Sequence, residues 1–179
     1  MNLELFNEMM KEGSNPSQHS PEWRAFLEFC ESYLKKHKIE RPIVVELGSW
    51  RGRTKKFYEQ FLNAEYIGID WSRKRSTPDI LGDTRDPGTL EKLKGKLKGR
   101  PINILFIDAS HTYADVKSDY ETYGLLCSDI IALHDIELGR HQNIRTRTVW
   151  KFWDELKDRI YVLMSAKFNI VKRDNITTE

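Results

Sequence analysis

The stretch IVVELGSWRGRT, residues 43–54, decides how the rest of the chain is read. A β-branched run, IVVEL (43–47), enters ELGSWRGRT, where Gly48 and Gly52 flank a turn and Thr54 stands at the start of a segment with helical spacing. Glycines in such a turn let a ligand approach the backbone, and the free amides of a helix start favour a carboxylate or a phosphate. The dinucleotide fingerprint G-x-G-x-x-G is not met: Trp50 holds the place of the second glycine and no third follows. A nicotinamide cofactor is therefore disfavoured.

Downstream, similar runs recur at YIGID (66–70), INILFID (102–108) and DIIALHD (129–135), each followed by apolar residues at helical spacing. Phe57, Tyr58, Phe61 and Leu62 form one such stripe, Val116, Tyr120 and Tyr123 a second, and Val149, Phe152, Trp153 and Leu156 a third. Alternating strands and helices predict a mainly parallel sheet. With right-handed crossovers, the economical fold is α/β: a Rossmann-like, doubly wound sheet with helices on both faces in a three-layer α/β/α sandwich. Ligands then bind at the carboxyl ends of the strands. YVLMSAKFNIV (161–171) predicts a C-terminal antiparallel hairpin. Upstream, Ser20 as cap, Pro21 in the first turn, and Trp23, Phe26, Leu27, Cys30, Tyr33 and Leu34 predict a helix over 20–38. Residues 1–19 read as a loose lead-in on the character of KEGSNPSQHS (11–20), and 1–179 as a single domain.

Lys and Arg number 29 against 27 acids, a net charge of +2, so no whole-surface field points to nucleic acid or anionic membrane. Cys30 and Cys127 lie far apart in apolar surroundings, which suits buried thiols in a reducing compartment. No apolar run approaches the roughly 18–20 residues a membrane span needs, and MNLELFNEMMKEG lacks the basic-then-apolar order of a signal peptide. The expectation is a soluble, cytoplasmic protein without a membrane partner. EKLKGKLKGR (91–100) reads as the wet face of a surface helix and its turn.

Acids gather where the predicted strands end. Asp70 follows Gly48 by about 20 residues, where a Rossmann-like fold places a ribose-binding acid. Asp83 in ILGD, Asp108 in LFIDASH and Asp135 in ALHD occupy corresponding places. Several carboxylates facing one crevice repel each other, and a cation or sugar hydroxyls relieve that cost.

Together, ELGSWRGRT, YIGIDWS, ILGDTRDP, FIDASHTYADVKSDY and ALHDI resemble S-adenosylmethionine-dependent class I methyltransferases over residues 43–136. DASHTY and HDI resemble more narrowly the metal-dependent O-methyltransferase branch that contains macrolide-sugar and aminocoumarin-sugar methyltransferases and cephalosporin-biosynthesis proteins. The resemblance implies that Glu46, Gly48, Ser49 and Gly52 hold the amino-acid end of the cofactor and Asp70 its ribose hydroxyls. It places Trp71 on a face of the adenine and Asp83 at the adenine amino group, with Ser72 and Thr84 beside them as cofactor-binding residues; Ser72 has a simpler use as a helix cap.

Asp108 and Asp135 end what should be neighbouring strands about 5 Å apart, so their carboxylates can converge on one divalent cation, with Asp108 also bordering the cofactor. The related branch often has a carboxylate where this chain has His134, a candidate nitrogen ligand. Oxygen ligands favour magnesium, whereas an imidazole brings manganese or another transition ion into range. Glu137 is a further candidate ligand. By resemblance, His111, three residues after Asp108, is the general base, a role imidazole suits near neutral pH. A cation lowers the pKa of an acceptor hydroxyl, the base takes its proton, and the oxygen attacks the sulfonium methyl. Thr112 and Asp115 read as a capping pair.

Arg140, His141, Arg145 and Arg147 after ALHDIE, with Arg51 and Arg53, are candidates for an anionic acceptor, with a solvated loop as the plainer use. The expected partner is a small-molecule hydroxyl acceptor, and a homo-oligomer is left open. Two rivals stand beside this reading. A nucleic-acid methyltransferase lacks support, because the Asn/Asp-Pro-Pro-aromatic tetrapeptide of DNA amino-methylating enzymes is replaced by DASH. A metal-independent enzyme or a non-catalytic S-adenosylmethionine-binding module would bind the cofactor without a metal effect.

Overall fold

The computed structural model describes residues 1–11, 16, 18–75, 77–140, 146–156, 162–164 and 169–172, the last two segments as backbone alone. Its elements are α1 (Leu3–Lys11), α2 (Ser20–Lys36), β1 (Ile43–Leu47), α3 (Lys55–Leu62), β2 (Glu65–Asp70), β3 (Ile80–Leu81), α4 (Pro87–Leu97), β4 (Ile102–Ile107), α5 (Tyr113–Tyr123), β5 (Cys127–Leu133), α6 (Val149–Leu156), β6 (Val162–Met164) and β7 (Asn169–Lys172). The sheet order is β3-β2-β1-β4-β5-β7-β6, and the first five strands are parallel. β7 continues from β5 in antiparallel register and β6 pairs with β7. Residues 161 and 165–168 of the expected hairpin lie outside the described residues.

Both faces of the parallel sheet are covered, so IVVEL is buried throughout, Glu46 included. Ile43, Val45 and Leu47 pack with Leu93 of α4, Val116 of α5 and Phe152 of α6. Val44 faces the other way, with Phe6, Trp23, Phe26 and Phe57 of α1, α2 and α3. The three-layer α/β/α expectation is therefore met.

Two readings at the N-terminus need correction. The loose lead-in contains α1, whose Phe6 and Met9 are buried and whose Phe6 ring meets Phe57 at 5.9 Å. Its two inward residues are three apart, one helical turn, but nine residues make too short a pattern to stand out. Ser20 is the first helical residue of α2; His19 holds the cap position and makes no side-chain cap bond. Elsewhere the caps follow expectation: Thr112 and Asp115 bond reciprocally at the start of α5.

β1 and β4 are neighbours, with the chain winding outward from them in opposite directions, so the topological switch lies between Gly48 and Asp108. Main-chain bonds align the strand ends across it: Asp108 N–H donates to Leu47 O at 2.9 Å, Gly48 N–H to Ile69 O at 2.8 Å, and His134 N–H to Ile107 O at 3.1 Å. The ends of β2, β1, β4 and β5 thus share one edge. Among the described residues no helix is long and apolar enough to cross a membrane.

Candidate active site

The glycine loop is built by close approach. Gly48 has φ +87°, and a Cβ there would stand 2.5 Å from Ala109 Cα and 2.6 Å from the Asp108 carbonyl carbon. Only glycine allows β1 and β4 to meet this tightly at their ends. Trp50, in the place where the widespread pattern has glycine, adopts the left-handed region at φ +43°. Its N–H donates to Asp70 Oδ2 at 2.7 Å, and Arg51 lies over its ring at 4.4 Å. Ser49 is buried, and Gly52 N–H donates to Ser49 O at 2.6 Å, closing the turn.

Glu46 points away from the loop. It is buried on the α2–α3 side, where Thr54 Oγ1 and Tyr66 Oη both donate to its Oε2. Burial pushes its carboxyl up to about 7, with the two hydroxyl bonds and the neighbouring Asp108 as smaller influences. Strand parity carried this information, since Glu46 shares the face of Val44.

Asp70 is buried at the end of β2 and accepts from two main-chain amides, Trp50 to Oδ2 and Ser72 to Oδ1 at 2.8 Å. It locks the glycine loop to β2, and each oxygen keeps a lone pair. Trp71 is 75% exposed, an indole left in water beside the loop. Ser72 caps no helix; its Oγ accepts from Lys74 N–H at 3.2 Å in a tight turn. Asp83 follows β3 and is gripped by Arg85 through Nε at 3.0 Å and Nη2 at 2.7 Å, which holds its carboxyl at about 2. Thr84 is fixed from α5: Tyr123 Oη donates to its carbonyl at 2.9 Å, and Asp119 bonds its side chain.

Beyond the switch point, Asp108, His111, His134 and Asp135 form one cluster. His134 Nδ1 lies 3.0 Å from Asp108 Oδ1 and 3.2 Å from Asp135 Oδ1, and His111 Nδ1 lies 3.1 Å from Asp135 Oδ2. Burial disfavours the imidazolium of His134, but the Asp108, Asp135 and Glu46 carboxylates outweigh it and raise its pKa. For Asp135, burial acts upward and is overcome by the His111 bond and the nearby His134, so its carboxyl titrates below the ordinary range. Asp135 also takes the left-handed region at φ +57°, a strained setting of the kind that collects at functional sites. Thr148 N–H donates to His111 O at 2.7 Å, pinning the DASH turn to the segment before α6. One ligand atom each from Asp108, His111 and Asp135 lies within 4.8 Å of the others, a spread that one divalent ion can bridge. The residues present fit a cation, and His111 stands closer to the candidate ligands than its reading as base alone implies.

Of the weaker candidates, Arg147 reaches the cluster, with Nη1 3.7 Å from Asp135 Oδ2. Arg140 is committed elsewhere, to Glu137 at 2.8 Å and Asp154 at 2.8 Å. That pairing also turns Glu137 to Arg140. His141 and Arg145 lie outside the described residues. Gln18, which sequence reasoning missed in the lead-in, reaches Asp108 Oδ2 with Nε2 at 3.4 Å. A contact between residues 90 positions apart leaves no local signal.

No family model matches the chain, and neither does any curated protein. Solved structures with the same fold do exist. The mycinamycin-pathway methyltransferase MycE, in complex with Mg, SAH and mycinamycin VI, aligns with TM-score 0.69 at 14% identity over 94% of this chain and 53% of its own. TomG, an O-methyltransferase from Streptomyces achromogenes in complex with SAM, aligns with TM-score 0.54 at 13% identity over 94% and 87%. An O-methyltransferase from Bacillus cereus in complex with SAH aligns with TM-score 0.56 at 11% identity over 96% and 88%. The chain thus has the fold of these O-methyltransferases, and spans about half the length of MycE.

Proposed function

We propose that this chain is an S-adenosylmethionine-dependent O-methyltransferase that acts with a divalent cation on a hydroxyl of a small, sugar-like or natural-product-like molecule. The observation that carries the reading is the meeting, at the β1–β4 switch point, of the Gly48–Gly52 loop with the Asp108–His111–Asp135 cluster. Solved structures of the same fold, complexed with SAM or SAH and in one case Mg, support it.

In this reading the loop from Gly48 to Gly52 receives the amino-acid end of the cofactor, with Glu46 holding the loop from behind through Thr54 rather than by direct contact. Asp70 uses its remaining lone pairs for the ribose hydroxyls, while Trp71 and Ser72 border the adenine. Asp83 and Thr84 recognise the adenine amino group. Asp108 and Asp135, which lie in the group that one ion can bridge, would hold the cation, with His134 against both carboxylates as the candidate nitrogen ligand and His111 left for the proton. When bound, the cofactor supplies a methyl group on a sulfonium, and the cation lowers the pKa of the acceptor hydroxyl. His111 takes the hydroxyl proton at Nε2, because its Nδ1 faces Asp135, which orients the ring and stabilises the imidazolium formed.

In this reading residues 1–179 act as one domain, in a reducing cytosol that would keep Cys30 and Cys127 as thiols. A metal-independent transfer is the second reading, favoured by His134, whose nitrogen lies against both carboxylates. Calorimetric titration with SAH, with and without Mg²⁺ or Mn²⁺, tests both. Binding that tightens with the cation supports the leading reading, metal-indifferent binding supports the second, and no binding refutes both.

A further inference from the structure

Gln18 lies outside every helix and strand, yet its carboxamide reaches the carboxyl edge of β4. The residue is 9% exposed, its Nε2 donates to Asp108 Oδ2 at 3.4 Å, and its Oε1 is buried with no hydrogen-bond partner among the described residues. Charge fixes which amide atom faces the acid: with the group reversed, Oε1 would meet a carboxylate oxygen and be repelled. An amide oxygen stripped of water and given no donor opposes folding, and such a group calls for a specific explanation.

Its location supplies one. Gly48 packs against the main chain of Asp108 and Gln18 against its side chain, so the glycine loop and Gln18, two residues before α2, converge on one aspartate. In the cofactor reading proposed above, on which this inference rests, the amino-acid end of the cofactor lies along that loop. Its α-ammonium carries three N–H donors and a positive charge, which an amide oxygen beside a carboxylate suits. We propose that Gln18 Oε1 accepts a hydrogen bond from the α-ammonium of the bound cofactor. Gln18 is thereby part of the cofactor pocket, and it selects for ligands that keep the amino-acid end.

The test is calorimetric titration of the full chain with SAH and with 5′-methylthioadenosine, which shares the nucleoside and thioether but lacks the amino-acid end. Wild type is compared with Gln18→Leu and Gln18→Met, two apolar replacements of similar size, and the Tm of each is recorded. Both variants should bind SAH about tenfold or more weakly, about 1.4 kcal/mol, and bind methylthioadenosine as the wild type does. Their Tm should shift little, because loss of the Nε2–Asp108 bond opposes the gain from removing the orphaned acceptor. An equal loss for both ligands, or no loss for SAH, overturns the inference. A wild type that binds neither ligand overturns the cofactor reading itself.

Discussion

Replacing Gly48 with alanine should damage the protein in proportion to what the added methyl meets. The position has φ +87°, and the new Cβ would stand 2.5 Å from Ala109 Cα and 2.6 Å from the carbonyl carbon of Asp108. Left-handed backbone costs an L-residue about 1–2 kcal/mol, and overpacking against backbone that cannot rotate away adds about 1–3 kcal/mol. The sum, about 2–5 kcal/mol, corresponds to a Tm lowered by about 5–15 °C in a domain of this size. Because the obstructing atoms belong to Asp108 and Ala109, relief comes only by moving the end of β4 away from β1, and SAH binding should fail with it. Gly95→Ala is the control: that glycine lies inside α4, a Cβ there meets nothing within 4 Å, and the Tm should rise by about 1–4 °C. Thermal denaturation followed by circular dichroism reads both variants, with SAH titration alongside. A Gly48→Ala protein that melts within about 1 °C of wild type and still binds SAH would refute the close-approach account of the loop.

Three further outcomes follow from the geometry. Trp71→Ala should leave the Tm unchanged, because the indole is 75% exposed, and should weaken SAH by about 1–3 kcal/mol if the ring covers a base; equal affinity in a titration would remove Trp71 from the pocket. His111→Asn should lower kcat by about 10²–10⁴ while SAH affinity holds, and loss of SAH binding instead would show a positioning role. Asp119 is 1% exposed, and burial pushes its carboxyl from the ordinary 3.8 up to about 6. A carboxyl raised on folding favours the native state below about pH 4 and loses that contribution as pH rises through 6. Asp119→Asn should therefore match wild type near pH 3.5 and exceed it by up to about 3 kcal/mol at pH 7 in urea denaturation, and a constant difference across pH would contradict the shift.

The fold was legible because burial on both faces leaves β-branched runs. IVVEL, INILFI and the strand ending at Asp70 stand within a residue or so of their expected bounds. The acids of the site were legible for the same reason, since each directly follows such a run. What escaped were features set by contacts distant in sequence. α1 earns its place through Phe6 meeting Phe57, and Gln18 through Asp108. The partners of Glu46, Thr54 and Tyr66, were not legible either, although its parity with Val44 places it on that face. The contact of His111 with Asp135, distant in the chain, was likewise not legible.

The most direct measurement is a crystal structure of the chain grown with SAH and Mn²⁺, with anomalous scattering recorded for the metal. The account predicts SAH along the loop from Gly48 to Gly52, its ribose at Asp70, and a manganese peak within about 2.5 Å of carboxylate oxygens of Asp108 and Asp135. SAH bound away from that loop, or no SAH at saturating concentration, would contradict it.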